Sequence, residues 1–173
     1  MTDLSDGLPD DARVPAFDGA RFRQVLGHFA TGVTVVASVG PDGPVGMAVG
    51  SFTSVSLDPP LVAFCPGKTS SSWPQIREAG AFCVNVLNED QETLSRTFAS
   101  KAPDKFMGIG WDPAGTGSPR LTDALAWIDC TIEAVHDAGD HDICVGRVQA
   151  LDVGDDSPGP LVFYRGGYGR FEP

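Results

Sequence analysis

The sequence predicts a mainly β protein, an antiparallel barrel with a few peripheral helices, and three observations predict it. Short runs rich in β-branched and aromatic residues recur with turn signals between them, and they clearly outnumber the helical stretches. Strands do not alternate regularly with crossover helices, which argues against a doubly wound parallel sheet. At 173 residues the chain suits one domain around a single sizeable core.

Met1 to Pro15 carries acidic residues, glycine and proline with little apolar content, so it is expected to be a disordered tail, with the domain running over residues 16–173. FDGARFRQVLGHFA then places Phe22, Val25, Leu26 and Phe29 on one helical face, with Asp18 as N-cap, and predicts a packing helix. TGVTVVASV, the turn Gly40-Pro41-Asp42-Gly43 and VGMAVGSF read as a hairpin. FTSVSL and LVAFC, separated by Pro59-Pro60, read as a second strand pair. A short helix is expected over about Ser72 to Glu78, with Ser72 able to cap it, Pro74 in its first turn and Gly80 as a left-handed exit. AFCVNVL is a buried strand, Asn88 to about Ala99 a helix, and Lys101 to Gly117 a loop. The remaining strands are ALAWIDCTIEAVH, DICVGRVQALDV and LVFYRGGYGRF, divided by the turn Asp137 to Asp140 and the run Gly154 to Pro160.

Composition excludes several functions. Lys and Arg number 12 against 23 Asp and Glu, and a net charge of -11 repels phosphate backbones and anionic membrane surfaces, so no nucleic acid and no membrane is expected as a partner. No apolar run approaches the roughly 20 residues a membrane helix needs. The N-terminus is acidic where a signal peptide is basic and then apolar, which predicts a cytoplasmic protein. Cys65, Cys83, Cys130 and Cys144 are too widely spaced for a CxxC motif and sit among apolar neighbours, so all four are expected as reduced core residues with no zinc site. GxSxG, HExxH and GxGxxG are all absent.

Four stretches carry candidate chemistry. CPGKTSSSW, Cys65 to Trp73, joins one lysine, four hydroxyls and a helix start behind a strand, a set suited to phosphate. It is no Walker A loop, which needs glycine where Val62 stands, and a solvated turn with Ser72 as cap is the alternative. Gly46, Ala48, Gly50 and Ser51 are small residues within an extended run, which lets a flat group approach the backbone; a bulge or close strand packing explains them equally. His141 lies at a turn between Asp140 and Asp142, whose carboxylates favour the imidazolium, although a lone turn histidine is often plain surface. FYRGGYGRF offers the aromatic faces of Tyr164 and Tyr168 and the charge of Arg165, with simple hairpin packing as its alternative.

In combination, FRQVLGHFATGVTVV, GMAVGSFTSVSLDPPLVAFC, SWPQIREAGAFCVNVL, FASKAPDKF, the AGDH turn and PLVFYRGGY resemble the flavin reductase family of two-component flavin-dependent monooxygenases. They run in family order from about Phe22 to Tyr168 and are most similar to reductases of actinomycete aromatic hydroxylases. The resemblance implies a flavin-binding, Greek-key split barrel acting as a homodimer. It implies hydride transfer from NADH to FAD or FMN, and diffusion of reduced flavin to a separate monooxygenase. By resemblance, Gly46, Met47, Ala48, Gly50 and Ser51 line the isoalloxazine with Ser54 nearby, although relatives often carry a polar side chain where Gly50 stands. Cys65, Pro66, Gly67 and Lys68, with Ser71 and Ser72, match the turn that holds the ribityl and phosphate region. Phe98 and Lys105 match the border of the flavin site. Gly139, Asp140 and His141, with Arg165 and Tyr168, match the region where the dinucleotide folds over the flavin, with His141 as the catalytic candidate. Two other readings remain: a flavin storage or sensing module without turnover, and an oxidase of the pyridoxamine phosphate type.

Overall fold

The computed structural model describes residues 18–154 and 158–171, so the tail expected over residues 1–15 lies outside the described residues. The Asp18 carboxylate accepts the Ala20 N–H at 3.0 Å and starts α1 (Gly19–Leu26), as an N-cap should. After β1 (Thr31–Gly32), β2 (Thr34–Gly40) and β3 (Gly43–Val49) form the expected hairpin, with Gly40 facing Gly43 across the Pro41-Asp42 turn. β4 (Thr53–Leu57) and β5 (Pro60–Phe64) form the second pair. Then come α2 (Trp73–Ala79), β6 (Ala81–Val86), α3 (Glu92–Ala99), β7 (Trp111–Pro113) and β8 (Pro119–Leu121). The chain continues through β9 (Ala126–Ala138), β10 (His141–Val153), β11 (Leu161–Tyr164) and β12 (Gly167–Arg170).

Seven strands share one antiparallel sheet in the order β3-β2-β6-β9-β10-β5-β4. Its two edges, β3 and β4, are consecutive in the chain and joined only by Gly50, Ser51 and Phe52. The four Cα steps from Val49 to Thr53 reach at most about 14 Å, whereas the edges of a flat seven-stranded sheet lie roughly 29 Å apart. The sheet is therefore rolled, and because β3 and β4 do not pair with each other it is an opened barrel. One cluster fills the roll with residues from β3 at one edge, β5 next to the other and strands between, including Val49, Val62, Phe64, Phe82 and Val84, and α2 contributes Trp73 and Ile76 to it. Phe64 packs edge-on to both Trp73 and Phe82. A second cluster lies on the outer face of β2, where Val35 and Ala37 meet Phe98, Leu87, Leu121 and Leu161. β2 is thus buried on both faces, which explains its continuous apolar run.

Five expectations need correction. The face of α1 does not pack on this chain's core: Phe22, Val25, Leu26 and Phe29 are 55%, 50%, 56% and 78% exposed. Cys65 is exposed, unlike the other three cysteines, because β5 ends at Phe64 and the chain turns outward. The predicted single strand LVFYRGGYGRF is the hairpin β11–β12, reversed at Arg165 and Gly166, both of positive φ. The predicted loop to Gly117 contains β7, which pairs with β8. Ser72 makes no capping bond to α2; Ser70 accepts the N–H groups of Ser72 and Trp73 instead.

Candidate active site

Two neighbouring cavities lie where β3, the turn before α2 and the loop after α3 converge. The larger, about 780 Å³, is lined by Gly46, Ser72, Gln75 and the loop from Lys101 to Met107. The smaller, about 490 Å³, is lined by Met47, Ala48, Gly67, Thr69, Ser70 and Phe98 among others. Ser71, Lys101 and Lys105 belong to both walls.

Lys105 dominates the electrostatics here. It is 8% exposed, and its ammonium donates to Phe98 O at 3.0 Å, Gly46 O at 3.3 Å and Ser72 Oγ at 3.4 Å, all neutral acceptors. Burial pushes its pKa below the usual 10.5. A buried cation is normally matched by an anion, so this wall is suited to a ligand phosphate. Gly46 serves the wall from behind. A Cβ there would come 2.7 Å from the Phe98 ring, so its bareness admits Phe98, while its carbonyl accepts from both Lys105 and Ser72. Close packing also explains Gly50, whose Cβ would stand 3.1 Å from Thr31 Oγ1. The alternative of close packing is thus met at both glycines on the Cβ side.

The turn after β5 is fastened to the tip of the β9–β10 hairpin. Gly67 forms a β-bridge with His141, the Lys68 N–H donates to Asp140 O, and the Asp142 N–H donates to Pro66 O, both at 3.0 Å. The Lys68 ammonium is directed to the same tip: it pairs with the Asp137 carboxylate and donates to Gly139 O at 2.7 Å. It does not line either cavity, and the ammonium groups on the cavity walls are those of Lys105 and Lys101. His141 Nδ1 lies 2.8 Å from Asp140 Oδ1, and the ring is half exposed beside Gly67. The bond to Lys68 holds the Asp137 carboxyl below its usual range, and the bond to His141 does the same for Asp140. On the other side, Ser51 Oγ accepts the Cys65 N–H at 2.9 Å, tying the β3–β4 crossing to this turn. Ser54 is exposed on β4, away from both cavities.

Arg165 and Tyr168 are not brought to the cavities within one chain. The Arg165 N–H donates to Gly27 O at 2.8 Å. Tyr168 is held by α3: its hydroxyl lies 2.8 Å from Ser95 Oγ and its ring sits under the Arg96 guanidinium. Sequence reasoning missed Lys101, Thr69 and Ser70 as lining residues, though all three stand in stretches it had singled out. Asp142, expected beside His141 as a charge partner, is corrected to an inward-facing carboxylate whose partners lie 65 to 76 positions back in the chain and leave no local pattern.

The chain matches the flavin reductase like domain over residues 26–172. It is 53% identical over 157 residues to the reductase subunit HsaB of a flavin-dependent monooxygenase from Mycobacterium tuberculosis, covering 90% of this chain and 84% of that protein. It is 45% identical over 159 residues to the FMN reductase (NADH) SmoA of Agrobacterium fabrum, covering 91% and 90%. The fold matches the NADH:FAD oxidoreductase SgcE6 of Streptomyces globisporus C-1027, solved with NAD and FAD fragments, with a TM-score of 0.84 at 38% identity over 90% of this chain and 94% of that one.

Proposed function

The chain belongs to the flavin reductase like domain family, and from that premise we propose how its residues serve an NADH-dependent flavin reductase that supplies reduced flavin to a separate monooxygenase component. The observation that carries the residue assignment is the Lys105 ammonium, buried with neutral partners only, on the wall shared by two cavities. Its charge and the neighbouring hydroxyls of Ser71 and Ser72 fit the phosphate of a flavin nucleotide, and Lys101 adds a second cation. Met47, Ala48, Gly67 and Phe98, on the smaller cavity, fit the ribityl chain and ring.

When bound, the two cofactors supply the chemistry themselves, a hydride passing from nicotinamide C4 to flavin N5. What falls to the protein is binding and orientation. His141, beside Gly67 and oriented by Asp140 through Nδ1, positions the dinucleotide over the flavin site, with Nε2 the ring nitrogen turned from Asp140. Because reduced flavin has to leave, its affinity is expected to be no tighter than micromolar, on the order of 8 kcal/mol.

The protein acts as a homodimer in this reading. The exposed apolar face of α1, with Phe163, Tyr164 and Phe171 also exposed at the C-terminal hairpin, is supporting surface, since a free monomer seldom leaves such a contiguous patch in water. No described helix is long and apolar enough to cross a membrane, and we assign the protein to the cytoplasm, to be checked by cell fractionation. The deciding experiment follows loss of NADH absorbance with no flavin, with FMN and with FAD. Turnover that requires added flavin is the expected result; flavin binding without NADH oxidation would favour a storage or sensing module.

A further inference from the structure

We propose that Asp142 is a positioning residue for the nicotinamide side of the reaction: its buried carboxylate clamps the turn that bears His141 to the turn that bears Gly67 and Lys68 and to the helix that bears Trp73 and Arg77. Residues 141 to 144 alternate exposed, buried, exposed, buried along β10, so His141 faces out and Asp142 faces in, beside Cys144. An inward position on a strand of this kind normally carries an apolar side chain, and a carboxylate there needs partners. Asp142, 6% exposed, has three, all from one segment. Its Oδ2 accepts the Trp73 indole N–H at 2.7 Å and lies 3.8 Å from the Arg77 guanidinium, and its Oδ1 lies 3.9 Å from the Lys68 ammonium.

Trp73 is the fixed point of this set. It is 3% exposed, packed edge-on against Phe64 and part of the barrel core, so the carboxylate is anchored to the core. Lys68 closes the other end: the same ammonium also holds Asp137 and Gly139 O, and so spans the hairpin tip on both sides of His141. Asp142 cannot touch a ligand on the His141 side, because it points the opposite way. It acts through its own backbone, whose N–H donates to Pro66 O and whose preceding residue bridges Gly67. His141 is the residue proposed to hold the dinucleotide, and a displaced tip weakens that hold in the ground state and the transition state alike. A tip held by Asp142 keeps His141 in register with the flavin wall.

The kinetic consequence rests on the reductase reading, whereas the clamp itself can be measured without turnover. Asp142→Asn is the chosen variant, since it keeps an oxygen for the Trp73 N–H and removes the charge that gathers Lys68 and Arg77. In the full-length protein, amide hydrogen exchange over residues 66–70 and 139–143 is expected to rise at least about tenfold, with β2 and β6 unchanged. KM for NADH is expected to rise about tenfold while kcat stays within about twofold. On a His141→Ala background, Asp142→Asn is expected to add less than about twofold to KM, because both act through one group. Unchanged exchange, unchanged KM, or a full additional rise on the His141→Ala background would each overturn the proposal. If the wild type oxidises no NADH, the reductase reading fails first, and the exchange comparison alone decides whether the clamp exists.

Discussion

The tip of the β9–β10 hairpin and the C-terminal β11–β12 hairpin carry the two halves of the expected dinucleotide region, and they are built in opposite ways. At the first, polar contacts close within one chain: Lys68, Asp137, Asp140, His141 and Asp142 satisfy one another and the turn after β5. At the second, the Arg165 N–H donates to Gly27 O while the adjacent α1 face, Phe22, Val25, Leu26 and Phe29, is half exposed or more and joins neither core cluster among the described residues. The first region is therefore complete in a monomer. In the proposed homodimer the second is the side that another copy covers, and Arg165 and Tyr168 are proposed to meet ligand there.

Breaking the apolar side is the harshest test of that contrast. Phe22→Glu with Leu26→Glu is expected to reduce the mass in sedimentation from twice to once the 18.2 kDa chain. With it kcat/KM for NADH is expected to fall by roughly 100-fold or more, about 2.7 kcal/mol. Exchange protection at the β9–β10 tip is expected to persist. A fully active monomer would show that Arg165 and Tyr168 need no second copy.

The flavin wall gives the next effect. Lys105→Met is expected to weaken flavin binding about 30-fold, read by the stabilisation the ligand confers. At flavin 100 times the wild-type Kd that stabilisation is about 2.7 kcal/mol, and in the variant about 0.9 kcal/mol. An unchanged flavin-dependent Tm shift would move the phosphate away from Lys105. Cys65 offers a parallel reading: Cys83, Cys130 and Cys144 have thiols pushed up to about 12 by burial, so native alkylation is expected at Cys65 alone and to be slowed by flavin.

How much of this was legible in the sequence depends on the distance over which each feature is written. The β2–β3 hairpin was legible because Gly40-Pro41-Asp42-Gly43 is a local turn signal, and Asp18 and Gly80 marked helix ends by their own backbone needs. β8 was missed because a three-residue strand that opens on Pro119 resembles a loop. The C-terminal turn was legible only as an alternative, the hairpin packing of FYRGGYGRF, because its first central residue is Arg165, where asparagine or aspartate before glycine is the usual sign. The stretches of the candidate site were legible, but the roles within them were not. Lys68 and Lys105 are both single lysines in polar segments, and only their partners, Asp137 for one and three neutral oxygens for the other, tell them apart.

Arg165 supplies a smaller effect on the apolar side of the comparison. Its φ of +49° lies in the left-handed region, which costs an ordinary side chain roughly 1 kcal/mol. Arg165→Asn, which places Asn before Gly166 in a turn that favours that pair, is expected to raise Tm by about 2 °C. If Arg165 serves the dinucleotide, the same variant raises KM for NADH. Stability gained together with affinity lost would mark a strained residue kept for function.

The least effect belongs to the exposed charges of the polar tip, and its sign follows from Asp137 and Asp140. Both carboxyls are depressed in the folded protein, Asp137 by its bond to Lys68 and Asp140 by its bond to His141, from an ordinary value of 3.8. A group depressed on folding contributes stability that is fully present above its unfolded value and is lost as pH falls through the folded one. Their contribution is therefore intact at neutral pH and disappears below about pH 4. Since both side chains are largely solvated, 82% and 92% exposed, solvent screens the pairs and the change in Tm is small. The Asp137→Asn, Asp140→Asn double variant is expected to be slightly less stable than wild type at pH 7 and to lose less on acidification. High salt is expected to narrow that difference, whereas the contact of Asp142 with Trp73, which is buried, is expected to be insensitive to salt. A salt-sensitive loss of exchange protection around residues 66–70 would instead show that the exposed pairs, and not the buried carboxylate, hold the tip in place.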